Sequence, residues 1–243
     1  MNELALKKNV VINKTFKRKQ MKKFTVLSLV AVTLFITACK KSSTETTTGE
    51  EQQVAEKKGE VLAVNLATSK VDWKAFHKGG FAPRWGTLAI KSGEVSVEAN
   101  AVTAGDFVID MTSIKVDPAS VTEKDKKYSE LEAHLKGADF FDVEKNPTAD
   151  FKITSVTDLA APAKDAVEGA NKTVSGNLTL KGKAVNVTFP AKVTVAEGTA
   201  TIQAKFTVNR TDWDIKFGAS EADPAEWMIS KDIEIGINVT AGK

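Results

Sequence analysis

Apolar and polar residues alternate with a period of two through much of the chain beyond residue 70. That spacing marks strands that bury one face and wet the other. Val71, Trp73, Ala75 and His77 share one face of the earliest such strand. Phe107, Ile109 and Met111 do so in a second, and Phe151 and Ile153 in a third. The clearest runs are Leu178/Leu180, Val185/Val187/Phe189, Ile202/Ala204/Phe206/Val208 and Ile233/Ile235/Ile237/Val239. Thr, Lys, Glu, Gln and Asn fill the positions between them, as in antiparallel strands with one solvated face. Gly182 and Gly198 supply hairpin turns. The pattern predicts about eight strands with no recurring helical spacer, which excludes a parallel α/β sheet.

One helix interrupts the strands. Residues 122–136 carry Tyr128, Leu131 and Leu135 at spacings of three and four, with Thr122 and Asp125 as an approximate capping box and Gly137 as the C-cap. A second short helix is expected near 220–226, beside Pro224 and Trp227. A closed barrel removes exposed sheet edges, but an open two-sheet sandwich has the same periodicity. Eight strands can enclose a filled core or hold one small ligand. The inward set is rich in Val, Ile, Leu and Phe, and small residues at Ala75, Ala204 and Gly236 would leave room for a channel. A packed core would show the same letters.

The N-terminus reads as an address. Met21-Lys22-Lys23 forms a positive region, and Phe24–Ala38 an apolar run of fifteen residues, short of the ~20 a spanning helix needs and suited to a signal peptide. The run ends in Ile36-Thr37-Ala38-Cys39, a lipobox in which small residues precede the only cysteine. The expected organisation is a lipoprotein signal peptide over 1–38, with Met21 as an alternative start. A lipidated Cys39 and a disordered tether follow over 39–60, and one β-barrel domain over 61–243. Cleavage before Cys39, diacylglyceryl transfer to its sulfur and acylation of the new amino group would give a lasting anchor, since more than one chain is needed for that. Lys40 and Lys41 follow the cysteine in place of an acid, which points to the outer membrane with the domain facing the periplasm. The tether contains only Val54 and Ala55 as apolar residues, too few to bury a core.

Charge adds an exclusion. Eight of the 34 Lys and Arg residues and one of the 31 Asp and Glu residues precede Cys39, so the chain from Cys39 onward has a net charge of −4 in place of +3. A mildly acidic domain lacks the electrostatic footprint for nucleic acid. With one cysteine no disulfide forms within the chain, and the fold must rest on its core.

Catalytic chemistry is sparse. The two histidines, His77 and His134, stand far apart with no neighbouring cysteine. No G-x-S-x-G elbow, P-loop or G-x-G-x-x-G is present. Asp139 and Asp142 bracket Phe140-Phe141, and the first is expected to bond backbone amides of the turn after the helix. His134 is expected to orient the helix–strand junction through a hydrogen bond. Arg210 and Asp212 share a strand face and would form an ion pair; alternatively Arg210 or Lys181 meets a polar head group. No metal, cofactor or enzymatic activity is expected.

Three segments carry a family resemblance: HLKGADFFDVEKNPTADF (134–151), GNLTLKGKAVNVTFP (176–190) and FTVNRTDWDIKFG (206–218). Together they resemble the YceI family, bacterial envelope proteins, and the likeness runs from about Val61 to the C-terminus. The resemblance implies an all-β, antiparallel, lipocalin-like barrel with one intervening helix, binding a long-chain apolar lipid such as a polyisoprenoid or fatty-acyl derivative. It implies a barrel lining of Trp73, His77, Phe107, Ile109, Phe140, Phe141, Phe151, Ile153, Leu178, Phe189, Phe206, Trp213 and Ile235, with head-group contacts at Lys181 and Arg210. The chain departs from the family at Leu131-Glu132-Ala133, where an Arg-Asp pair is common, at Asn146 in place of an aromatic, and at Asp214 in place of a glycine. The expected role is storage, transport or stress protection by a membrane-tethered binder. The alternative is a periplasmic interaction or stress protein with a packed barrel that binds a protein partner on its outer face. The sequence leaves the oligomeric state open, a dimer included.

Overall fold

The computed structural model describes residues 46–224 and 227–243. Its strands are β1 (Thr47–Gly49), β2 (Glu60–Val64), β3 (Lys70–Ala75), β4 (Arg84–Glu98), β5 (Ala101–Val116), β6 (Thr148–Asp158), β7 (Lys172–Leu180), β8 (Lys183–Ala196), β9 (Thr199–Asn209) and β10 (Asp232–Gly242), with helix α1 (Tyr128–Lys136) between β5 and β6. β2 and β3 lie end to end, each paired with β4 on one side and β10 on the other. They fill one stave, and β4 to β10 supply the rest of an eight-staved antiparallel barrel. The predicted hairpins close at Lys181-Gly182 and Glu197-Gly198, where both residues of each turn have positive φ. Such two-residue turns match the twist of the strands they join.

The register explains the inward set. Leu178 stands opposite Val185 and Phe151, Ile235 opposite Trp73 and Phe206, and Ile237 opposite Val71 and Ala204. Gly236 is not part of that set. A Cβ on it would meet the Asp72 side chain, so it faces outward between the inward Ile235 and Ile237.

The helix is shorter than its periodicity predicted. It starts after Lys127, which makes no side-chain cap, and Thr122 and Asp125 form no capping box. Residues 122–127 are all polar, so no apolar stripe holds another turn against the barrel, and short helices without such packing do not persist. Gly137 does end the helix, in extended rather than left-handed backbone, donating its N–H to His134 O at 3.0 Å. The expected second helix is also absent: residues 220–224 form turns, and Ala225 and Glu226 lie outside the described residues.

The largest departure concerns the tether. Residues 46–59 do not hang free but cross the outer wall as a strap. β1 pairs with the first half of β8, Thr47 opposite Thr188 and Gly49 opposite Asn186. The Gln52 amide donates to Asn177 Oδ1 at 3.0 Å, and Asn177 Nδ2 donates to Gln52 O at 2.6 Å. Ala55 N–H then bonds Ile153 O, beside the bulge between Ile153 and Ser155. Lys57 reaches Glu94 and Asp106, which hold its ammonium pKa above the ordinary value. Composition alone predicts disorder here because the segment has little to bury. Its order comes instead from backbone groups that the wall is shaped to satisfy.

The strap also sets the barrel's width. β8 pairs directly with β9 only over 191–196 and 199–204. Beyond that the two strands part and β1 lies between them, with Thr207 N–H donating to Thr46 Oγ1 and Thr48 Oγ1 to Asp212. Barrel diameter grows with strand number, so the half that contains β1 is the wider one.

Replacing Asn177 with Ala would leave the Gln52 N–H and C=O without their partner, while the Asn186 amide would keep its bond to Thr154 Oγ1. Hydrogen exchange should then accelerate at Gln52 and Ala55 while the barrel strands stay protected. Urea unfolding should show a loss of about 1–3 kcal/mol, from two hydrogen bonds worth about 0.5–1.5 kcal/mol each.

Candidate functional site

The wide half of the barrel encloses a cavity of about 210 Å³ whose wall is almost wholly apolar. Its sides come from alternate residues of the strands, including Val71 and Trp73 of β3, Ile109 of β5, Leu178 and Leu180 of β7 and Ile235 and Ile237 of β10. Above Thr148, where β6 begins, α1 and the turn after it continue the wall with Leu131, Leu135, Phe140 and Phe141. His77, Arg84, Arg210, Ile215 and Ile229 line the same end, which is called the rim below.

A transverse aromatic layer forms the floor. Phe189 and Phe206 stack with centroids 4.0 Å apart and planes within 5°. Phe151 lies 5.8 Å from Phe189, and Phe107 6.3 Å from Phe151. Glycine makes this layer possible. A Cβ on Gly176 would stand 2.3 Å from the Phe151 ring, and one on Gly105 3.0 Å from that of Phe107. Below the layer, Leu62, Val95, Ile153, Val174, Ile202 and Val239 are buried against one another and none reaches the cavity. The barrel is therefore hollow in one half and packed in the other.

The residues singled out from sequence divide accordingly. Trp73, His77, Ile109, Phe140, Phe141, Phe151, Leu178, Phe206, Trp213 and Ile235 stand on the cavity wall. Phe107 and Phe189 belong to the underside of the floor and Ile153 to the packed half, so they do not reach the cavity. Lys181 occupies the β7–β8 turn with φ 51° and is not on the wall either. Cys39 lies outside the described residues. Missed by the strand pattern were Ile215 and Ile229, which sit in irregular backbone with no period to read. Arg84 was missed because an arginine at a strand start reads as surface.

Polar groups at the rim are tied up in structure. Arg210 is buried and, among the described residues, pairs with no carboxylate, contrary to the expected Asp212 ion pair. Its Nε donates to Ser230 O at 2.9 Å, Nη1 to Ile215 O at 2.7 Å and Nη2 to Ile229 O at 3.1 Å, while Asp212 accepts from Thr48. Burial lowers the pKa of its guanidinium from the ordinary value. Arg84 donates to Ser120 O and to Glu123 at 2.6 Å. The Glu123 carboxyl, bonded by its own backbone N–H and by Arg84, is held at about 2. Trp73 and Trp213 turn their indole N–H groups to Lys115 O and Leu178 O, which leaves their ring surfaces for the cavity. His134 bonds Asp139 at 2.9 Å and stands edge-on to Phe140 and Phe217. Asp139 thus serves the histidine in place of the turn amides expected from sequence. Among the described residues, no three metal-ligating side chains gather in one place.

Residues 62–241 match the YceI-like domain. The chain belongs to the YceI-like domain family. An UPF0312 protein of Pseudomonas aeruginosa is 34% identical over 93 residues, 37% of this chain. The chain spans 44% of that relative's length. BcnA of Burkholderia cenocepacia shares the fold with a TM-score of 0.50 and 21% identity, over 73% of this chain and 99% of its own. A polyisoprenoid binding domain from Saccharophagus degradans does so at 0.52 and 14%, over 78% and 99%. At those identities the likeness speaks for the fold, an antiparallel barrel with one helix.

Two outcomes test the construction of the site. Phe206→Ala should lower stability by about 3–5 kcal/mol in urea unfolding, the cost of deleting a buried aromatic side chain. Glu123 contributes through a folded pKa of about 2 against an ordinary 4.5. A depressed carboxyl stabilises fully above the ordinary value and loses that effect as pH falls toward the folded one. Thermal melts of the wild type and Glu123→Gln should therefore differ at pH 7 and converge between pH 4.5 and about 2.

Proposed function

We propose that this chain is a non-enzymatic binder of a long apolar lipid, a polyisoprenoid or fatty-acyl chain, tethered to a bacterial envelope membrane through an acylated Cys39. The observation that carries the reading is the blind, apolar cavity above the Phe189–Phe206 floor. Each methylene buried there is worth ~0.8 kcal/mol, so affinity needs no specific polar contact. The fold shared with a polyisoprenoid binding domain of Saccharophagus degradans supports the same reading. The cavity is below the ~300–1,000 Å³ common for drug-sized ligands. One end of the chain would therefore rest on the floor, and the remainder would leave at the rim.

Such a site selects by shape and length more than by chemistry, since an added methylene changes binding by only ~1–3 kcal/mol. The sequence Ile36-Thr37-Ala38-Cys39 after an apolar run supports the anchor, and Lys40-Lys41 supports an outer-membrane position facing the periplasm.

Gentle extraction of the chain from bacterial membranes, followed by native mass spectrometry, should find one bound lipid per barrel. Ala75→Trp would fill the cavity with an apolar side chain and should lower lipid occupancy about tenfold, equivalent to ~1.4 kcal/mol, with the strand content by circular dichroism unchanged. A uniformly empty wild-type barrel would sink the binder reading and favour a partner-binding outer face. Cys39→Ser should independently abolish labelling by palmitate.

A further inference from the structure

Seven large hydrophobic residues are exposed among the described residues, and three of them, Phe81, Phe217 and Trp227, sit on loops at the rim. Those loops are bonded to one another. Lys78 N–H donates to Met228 O, Ser230 N–H to Phe76 O and Ile229 N–H to Gly218 O, each at 2.7 Å. His77 N–H donates to Phe81 O, and Arg210 grips the carbonyls of Ile215, Ile229 and Ser230 from beneath. The aromatics are thus held on a braced platform around the cavity's rim, with Trp227 at 73% exposure and Phe81 at 61%. Water is a poor medium for such a surface. Tryptophan and phenylalanine flanked by lysines are the side chains favoured at a membrane–water boundary.

We propose that the rim is a membrane-docking surface that seats the open end of the cavity on the lipid bilayer, so that cargo passes between bilayer and barrel without crossing water. This rests on the lipid-binder reading above. The length of chain outside the structure fits that occupant. Thr46 is fixed beside Thr207, three residues before the Arg210 clamp. Six residues lie between it and Cys39, seven Cα-to-Cα steps with an extended reach of at most about 25 Å. An acylated Cys39 would keep the rim within reach of the surface that holds the acyl chains.

Charge plays a secondary part. Lys78 and Lys231 both pair with Glu221, at 3.1 and 2.7 Å, and Lys216 pairs with Asp214 at 2.8 Å. Neutralised in this way, the lysines give little pull toward anionic lipid, and docking rests on the aromatics.

The test uses the full chain in phosphatidylcholine vesicles whose acyl chains carry bromine near the headgroup. Trp73 and Trp213 are buried and Trp85 is half-buried, so Trp227 is the most exposed of the four tryptophans, and the signal it contributes is the difference between wild type and Trp227→Phe. Bromolipid should quench most of that difference, and 0.5 M salt should leave the quenching unchanged, by weak dependence on screened charge. Phe81→Ser combined with Trp227→Ser should slow transfer of bound lipid to acceptor vesicles about tenfold or more, a loss of apolar insertion. Trp227 emission that ignores bromolipid but remains open to aqueous iodide would overturn the proposal, as would quenching that high salt removes. A chain that carries lipid but shows no bromolipid quenching would defeat docking alone. A chain that is quenched but yields no lipid on extraction would instead defeat the binder reading.

Discussion

Four phenylalanine rings laid across the barrel divide it, and the two halves obey different packing rules. Phe189 and Phe206 stack face to face, and Phe151 and Phe107 extend the layer toward the opposite wall. Burying each side chain is worth about 1.5–3 kcal/mol, and paired rings add about 0.5–1.5 kcal/mol beyond that. Gly105 and Gly176 keep the neighbouring strands clear of the rings. Beneath the layer small residues at Ala191, Ala200, Ala204 and Ala241 alternate with larger ones, and the barrel is full. Above it the lining stops short of the centre.

The hollow half depends on a segment that composition would assign to a flexible leash. β1 lies between the upper parts of β8 and β9 and widens the wall there, while residues 50–59 bind across the outside. Asn177 and Asn186 face outward yet are almost fully buried, because the strap covers them. The cavity and the strap are therefore parts of one construction.

Rim chemistry is structural in character. Arg210 directs its donors to three backbone carbonyls, and Arg84 to Glu123 and the carbonyls of Pro83 and Ser120. His134 is engaged with Asp139 and two aromatic rings. These bonds fix irregular backbone at the open end, where no ladder of strand hydrogen bonds is available to do so. The outcome is a rigid opening with apolar side chains on both sides of it.

The period-two alternation determined the strands, their inward faces and most of the cavity wall, because side-chain direction in a strand follows position directly. Ile235 and Leu178 could be placed inside on that ground alone. The same rule cannot separate Ile235, which faces the cavity, from Ile202, which is packed solid, since both are inward aliphatics on neighbouring strands. That difference arises from where β8 and β9 part and where four rings meet, which are long-range contacts. The ordered strap was hidden for a related reason. Its stability comes from backbone partners supplied by distant strands, and backbone groups leave no signature in residue type. Ile215, Ile229 and the Arg210 clamp were likewise decided only when the loops at the rim came together.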